Sequence, residues 1–236
     1  MGKSSDYLCA YFILTVHAGC SFLGVRMAVG IESRTMPAST QGIKSRDRVR
    51  EKGEVFTELR EINNILDLTA DAHRNYKNQR ILEPACGNGN FLVVILQRRL
   101  NDIAKTFKKS QNSEIEFAIL TALSTIYGVD IMPDNIVEAR DRLWHEAKNT
   151  YETLVARAKR HEEWYLAVEK ILETNIQLGD MLNGKDKVEF TEWTSPKTGF
   201  FVRNMYRLLD MELGINESIE RTPMTHYLKL AEVAHA

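Results

Sequence analysis

At 236 residues, with 44% apolar and 27% charged side chains, the chain suits one soluble domain with a sizeable core and is not disordered. A formal net charge of −1 excludes a globally basic nucleic-acid-binding surface and leaves only local patches. The three cysteines, Cys9, Cys20 and Cys86, lie far apart without metal-ligand spacing, which predicts a reduced cytoplasmic protein with no metal site.

Residues 1–43 differ from the rest of the chain. Tyr7 to Val25 is almost uncharged and apolar, about the length of a membrane span, with His17, Gly19, Cys20 and Gly24 inside it. Two readings stand: a signal peptide opened by Lys3, or sequence upstream of a start at Met27 or Met36. The second is preferred, because the domain beginning near Lys44 has no reason to be exported. The expected division is therefore an N-terminal extension outside the fold (1–43), a main domain (44–210) and a C-terminal helical tail (211–236), with no membrane segment.

From Lys44 the pattern is globular. Lys44, Arg46, Arg48, Arg50 and Lys52 form a basic run, either a solvated approach to a helix or a contact for phosphates. Gly53 to Thr57 reads as a short extended segment. Leu59, Ile62, Ile65, Leu66 and Leu68 recur at helical spacing and predict an amphipathic helix over about 58–73. The stretch the rest is organised around is Ile81-Leu-Glu-Pro-Ala-Cys-Gly-Asn-Gly-Asn-Phe-Leu92: buried strand, glycine turn, and the start of a helix over about 88–107. Ile115 to Ser124 predicts the end of a further helix, and Ile126 to Ile131 a second strand. Residues 134–172 read as continuously helical, with Pro133 at the start where proline is tolerated. Asn175 to Asp180 predicts a short third strand. Alternating strands and helices of these lengths predict an α/β fold with a parallel sheet, right-handed crossovers and helices on both faces. In such sheets ligands lie beyond the carboxyl ends of the strands, where Glu83–Asn90, Asp130–Ile131 and Asp180 all fall.

The chemistry at that edge points to S-adenosylmethionine. The third glycine of the dinucleotide fingerprint is missing, since Leu92 holds its place, which argues against a nicotinamide or flavin. Gly87 and Gly89 allow a backbone to approach a ligand, and the helix start favours an anionic group. Asp130 is placed to accept both ribose hydroxyls, or else to cap the next helix. Asp180 either accepts from the adenine amino group or serves its turn. Ile131 and Met181 are candidates to sandwich the adenine ring, and as apolar residues after strands they equally fit the core. Phe56 is the aromatic best placed to cover a cofactor, or else a staple for the helix after it. Glu83 would orient the methionine amino group.

Glu83-Pro-Ala-Cys-Gly-Asn-Gly-Asn-Phe-Leu closely resembles the first S-adenosylmethionine-binding motif of the adenine-specific DNA amino-methyltransferases of restriction–modification systems. Gly128-Val-Asp-Ile-Met-Pro133 with Ala139-Arg-Asp-Arg-Leu143 is similar to their second motif, and Gln177-Leu-Gly-Asp-Met181 to their third. Glu54-Val-Phe-Thr57 resembles the upstream Phe-Thr-Pro element, with Glu58 in place of the proline. The resemblance implies a Rossmann-like class I methyltransferase fold, S-adenosylmethionine as methyl donor and the amino group of a DNA base as acceptor. The residues it would commit to the cofactor are Phe56, Thr57, Glu83, Pro84, Ala85, Cys86, Gly87, Gly89, Asn90, Asp130, Ile131, Asp180 and Met181.

One family element is missing. An Asn/Asp-Pro-Pro-aromatic motif holds and stacks the extruded base in that family. Here the five prolines, at 37, 84, 133, 196 and 223, are never adjacent. Thr194-Ser195-Pro196-Lys197, beside Trp193, is the nearest remnant by position, and no catalytic residue is assigned. The sheet is expected to be incomplete after its third strand. The open edge of the first strand then needs covering by 187–190 and 199–202 as a hairpin, or by a partner chain in a homo- or hetero-oligomer. DNA is the expected partner, reached alone or with such a chain; the alternative is a non-catalytic cofactor-binding or interaction subunit.

Overall fold

The computed structural model describes the backbone of residues 11–17 and 26–30, and residues 57, 59–68, 79–107, 111–184, 187–213, 215 and 217–232. Strand β1 (Tyr11–His17) and strand β2 (Arg26–Gly30) come first, then helix α1 (Leu59–Leu68). Strand β3 (Gln79–Glu83) leads through the glycine turn into helix α2 (Asn90–Thr106), followed by helix α3 (Asn112–Leu123) and strand β4 (Ile126–Asp130). Helix α4 (Pro133–Leu154), a 3-10 turn (Arg157–Lys159) and helix α5 (Glu162–Asn175) lead to strand β5 (Ile176–Leu178). A hairpin of β6 (Glu189–Thr194) and β7 (Phe200–Arg207) comes next, then helix α6 (Leu208–Glu212), the two-residue strands β8 (Glu220–Arg221) and β9 (Thr225–His226), and a last 3-10 helix (Tyr227–Glu232).

The first sheet runs β2-β1-β3-β4-β5. Strands β3, β4 and β5 are parallel, with Ile81 opposite Ile126, Glu83 opposite Gly128, and Asp130 opposite Leu178. Those registers bring Glu83, Asp130 and the chain after Leu178 to one edge. The chain is thus α/β, with three parallel strands flanked by helices and a second, antiparallel sheet. Both crossovers step the same way along the sheet, so right-handedness puts α2 and α4 on one face. Successive strand side chains alternate in direction. Gly128 accordingly faces Leu92 of α2, whereas Tyr127 and Val129 face the hairpin: the Tyr127 hydroxyl donates to the Thr191 carbonyl at 2.8 Å. That second face carries a sheet, where the sequence pattern predicted helices.

The free edge of β3 is also filled differently from expectation. It is paired by β1, antiparallel, with Leu14 opposite Leu82 and His17 opposite Gln79, and β2 pairs β1 in turn. Two strands of the stretch expected to lie outside the fold are therefore hydrogen-bonded into the sheet. The segments 187–190 and 199–202 do form a hairpin, but as the β6–β7 sheet packed on the face of β4 and β5. Strand β7 continues to Arg207, and helix α6 begins at Leu208. The tail expected to be helical holds β8, β9 and the last 3-10 helix.

The predicted helix over 134–172 is two helices. The chain leaves α4 at Val155, which is buried, and Arg160 caps the helix end by donating to the carbonyls of Glu152 and Val155. The break lets Trp164 fold back to stack on Tyr151, ring centroids 3.9 Å apart. Below them lies Glu116 of α3, wholly buried. Its carboxylate accepts from the hydroxyls of Tyr151 at 2.7 Å and Tyr227 at 2.5 Å, and lies 2.9 Å from His161 Nδ1. This one carboxylate ties α3, α4, the approach to α5 and the last 3-10 helix together.

Candidate functional site at the carboxyl edge of the parallel strands

Strand β3 ends at Glu83, followed by Pro84, which has no N–H to extend a ladder. The Cys86 N–H donates to the Val129 carbonyl at 2.9 Å, pinning the turn to β4, and the Gly89 N–H donates back to the Cys86 carbonyl at 2.9 Å. Gly87 and Gly89 take φ of 52° and 81°, a region that L side chains with a Cβ enter at a cost. At Gly89 space matters as well, since a Cβ would lie 3.0 Å from that of Ala139 on α4. Gly89 caps α2 without a side-chain hydrogen bond, and so leaves the helix start without a polar side chain over it. Cys86 is buried against Gly128, where a Cβ would meet its Sγ at 3.0 Å. Burial, and then the charges of Asp130 and Glu83, push its thiol well above the ordinary range. The thiol stays protonated and serves as packing.

Glu83 is the anomaly of this edge. It is buried, and its Oε2 has no hydrogen-bond partner among the described residues. Desolvation pushes its pKa up to about 8, against the opposing pull of the Ala85 N–H. At neutral pH the carboxyl is therefore protonated, and a cation placed against it would draw the proton off.

Asp130 joins the first two strand ends. Its Oδ2 accepts the Gly87 N–H at 2.9 Å, and its Oδ1 accepts the Met132 N–H at 2.8 Å and the Asn135 amide at 3.3 Å. It both shapes the glycine turn and steadies the start of α4. A carboxylate has about four lone-pair positions. Three are already engaged here, so a ligand taking two hydrogen bonds must displace one, the longest being that of Asn135.

Helix α4 supports the site by one stripe, Asn135, Glu138, Ala139 and Arg142, at helical spacing of three and four; Ala139 and Arg142 fall in the second motif, but none of the four was among the residues it committed to the cofactor. Asn135 supports Asp130. Glu138 Oε1 accepts the Asn88 amide at 2.7 Å. Ala139 abuts Gly89. Arg142 Nη1 donates to the Asn88 carbonyl at 2.8 Å and to Asn90 Oδ1 at 2.7 Å. The available signal was a polar stripe interrupted by one small residue, on the helix after the second acidic strand end.

The remaining predicted residues divide. Thr57 is brought to the turn, its carbonyl accepting the Asn90 amide at 3.4 Å, while Phe56 lies outside the described residues. Pro84 is half-buried and Ala85 exposed on the outer side of the turn. Gly179 donates to the Asp130 carbonyl at 2.9 Å, so the end of β5 adjoins that of β4. Asp180 serves its own turn: Oδ1 accepts the N–H groups of Leu182 and Asn183 at 2.8 and 2.9 Å. Ile131 stands 45% exposed beside Asp130, an apolar surface open to a ligand, whereas Met181 packs against the core.

A cavity of about 450 Å³ lies elsewhere. It opens near the amino ends of the strands, between Arg80, Phe117, Trp193 and Ser195. Arg80 there is already paired with Glu192 at 2.9 Å, so its charge is compensated. Trp193 is buried and donates from Nε1 to Asn175 Oδ1 at 2.8 Å, ahead of β5. The 193–197 loop thus sits at the end of the strands opposite the glycine turn, and the positional remnant of a base-stacking motif is a core residue. The carboxyl edge is the better candidate, because among the described residues it is where positive-φ glycines, a buried carboxyl with an unpartnered oxygen and strand-end acids coincide.

Among the described residues no group of three or more His, Cys, Asp or Glu side chains is arranged to hold a metal, and no helix is long and apolar enough to cross a membrane. Compared with protein-family models, curated proteins and solved structures, the chain matches none.

Proposed function

We propose that the chain is a Rossmann-like, class I methyltransferase domain that binds S-adenosylmethionine at this edge and acts as the methyl-donor part of an adenine-specific DNA amino-methyltransferase. The observation that carries the reading is the joining of the first and second motif segments by Asp130 to the Gly87 N–H, next to the unpartnered Glu83 Oε2. The residues fit the cofactor's chemistry. Glu83 offers a buried acceptor to an ammonium, Asp130 acceptors to ribose hydroxyls, and Ile131 an apolar wall to a base. The uncapped start of α2 suits a carboxylate. When bound, S-adenosylmethionine supplies an electrophilic methyl group on a sulfonium. Fixing its two ends from separate strand ends would orient that group without further machinery from this chain.

The acceptor half is what the described residues lack. Methylating an exocyclic amine calls for acceptors that hold its N–H groups and an aromatic that stacks on the extruded base. Trp193 is committed to the core, which favours a second reading: a cofactor-binding subunit that completes its site with a partner chain, or does not catalyse at all. Calorimetric titration with S-adenosylhomocysteine tests the first part. We expect binding, and Asp130→Asn should weaken it at least tenfold, because one or two charge-assisted hydrogen bonds of about 1.5–3 kcal/mol each are lost. No heat and no thermal shift at millimolar ligand would end the reading. Tritium transfer to genomic DNA, with and without products of neighbouring reading frames, separates a split enzyme from an inert subunit, and the purified chain alone should transfer poorly.

A further inference from the structure

We infer that Arg142 is the positioning residue that holds the glycine turn in its ligand-accepting shape and ties the Thr57 segment to it; this rests on the cofactor reading of the same edge. A turn with two glycines in the left-handed region has more unfolded and alternative conformations to exclude than any other part of the edge. Its non-glycine residues must therefore be held from outside. Asn88 and Asn90 flank Gly89, and one guanidinium nitrogen bonds both: the carbonyl of Asn88 at 2.8 Å and the side-chain oxygen of Asn90 at 2.7 Å.

This contact also sets which way the Asn90 amide faces. With its oxygen engaged by Arg142, its nitrogen is directed at the Thr57 carbonyl, 3.4 Å away. The chain Arg142–Asn90–Thr57 thus connects helix α4, the turn and the segment ahead of α1. Glu138, one helical turn before Arg142, takes the Asn88 amide from the other side, so Asn88 is gripped at both its backbone and its side chain. A planar guanidinium suits a bridge between two oxygens better than the point charge of lysine. Loss of the bridge should loosen the turn, with the Gly87 N–H to Asp130 contact it contains, while leaving the core packing of α4 untouched.

The test uses the full chain with Arg142→Met and Arg142→Lys. Hydrogen exchange of the ligand-free protein should show the amides of 87–90 exchanging at least tenfold faster in Arg142→Met, with α5 and β6 unchanged. Affinity for S-adenosylhomocysteine should fall at least tenfold in Arg142→Met and recover in part in Arg142→Lys, which restores one bond. Faster exchange spread evenly over the whole molecule, or wild-type exchange and affinity in Arg142→Met, would overturn the inference. If the wild-type chain binds no S-adenosylhomocysteine, the cofactor reading fails, yet the exchange experiment still decides whether Arg142 holds the turn.

Discussion

Two buried glutamates divide this molecule into a part made to stay closed and a part left to be completed. Glu116 is wholly buried and each carboxylate oxygen has a partner, from Tyr151, His161 and Tyr227. Glu83 is also buried, but one oxygen faces no donor among the described residues, and burial pushes its pKa up to about 8. The side chain is the same; the difference is who supplies the hydrogen bonds. An unsatisfied buried polar group costs about 1–3 kcal/mol. On the proposed cofactor reading, a ligand at the strand end would offset that cost.

The largest effect should come from breaking the closed centre. Glu116→Ala would leave the Tyr151 and Tyr227 hydroxyls and His161 without their common acceptor and open a void between three helices. Urea unfolding should show a loss of about 3–5 kcal/mol. Affinity for S-adenosylhomocysteine should stay within threefold once the variant is measured well below its unfolding midpoint. A loss below about 1 kcal/mol would erase the contrast between the two carboxyls.

At Glu83 the sign reverses. Its folded pKa, about 8, lies above the ordinary value of 4.5, so the folded state holds a proton that the unfolded state has given up. The associated stability is fully present below about pH 4.5 and is lost as pH rises to about 8, at up to about 1.4 kcal/mol per pH unit. Glu83→Gln should remove that slope from the ligand-free protein, making it more stable than wild type at pH 8 while weakening ligand binding. Unfolding curves of both proteins at pH 5, 6.5 and 8 decide the point; parallel pH dependences would show that Glu83 is hydrated or paired in solution.

The smallest effect is expected at Asp180. Its carboxylate serves the turn over 181–183, so Asp180→Ala should cost about 1 kcal/mol in thermal unfolding and change affinity less than threefold. A tenfold drop in affinity would instead move Asp180 into the binding edge beside Asp130.

Local sequence carried much of this edge. The apolar runs ending in Glu83 and Asp130, the glycines at 87 and 89, and the short strand before Asp180 are signalled by neighbouring residues, because strand, turn and helix start are decided within a few residues. The helices over 59–68, 90–106 and 112–123 were legible for the same reason, through apolar spacing. The division of residues 134–172 was not. That stretch holds neither glycine nor proline, and nothing nearby interrupts helical propensity. The break at Val155 exists because Val155 is buried and because Tyr151, Trp164 and His161 converge around Glu116, contacts that span up to 48 residues. Likewise, the strand character of Asn204–Arg207 arises from pairing with Glu189–Glu192, and the pairing of β3 by β1 joins residues more than sixty positions apart. Residue types and their order thus determined the glycine turn and the acids around it. Only the tertiary structure decided which oxygens find partners, leaving Glu83 Oε2 without one among the described residues, surrounding Glu116, and setting Arg142 across Asn88 and Asn90, because hydrogen bonds between distant segments depend on packing that no local pattern encodes.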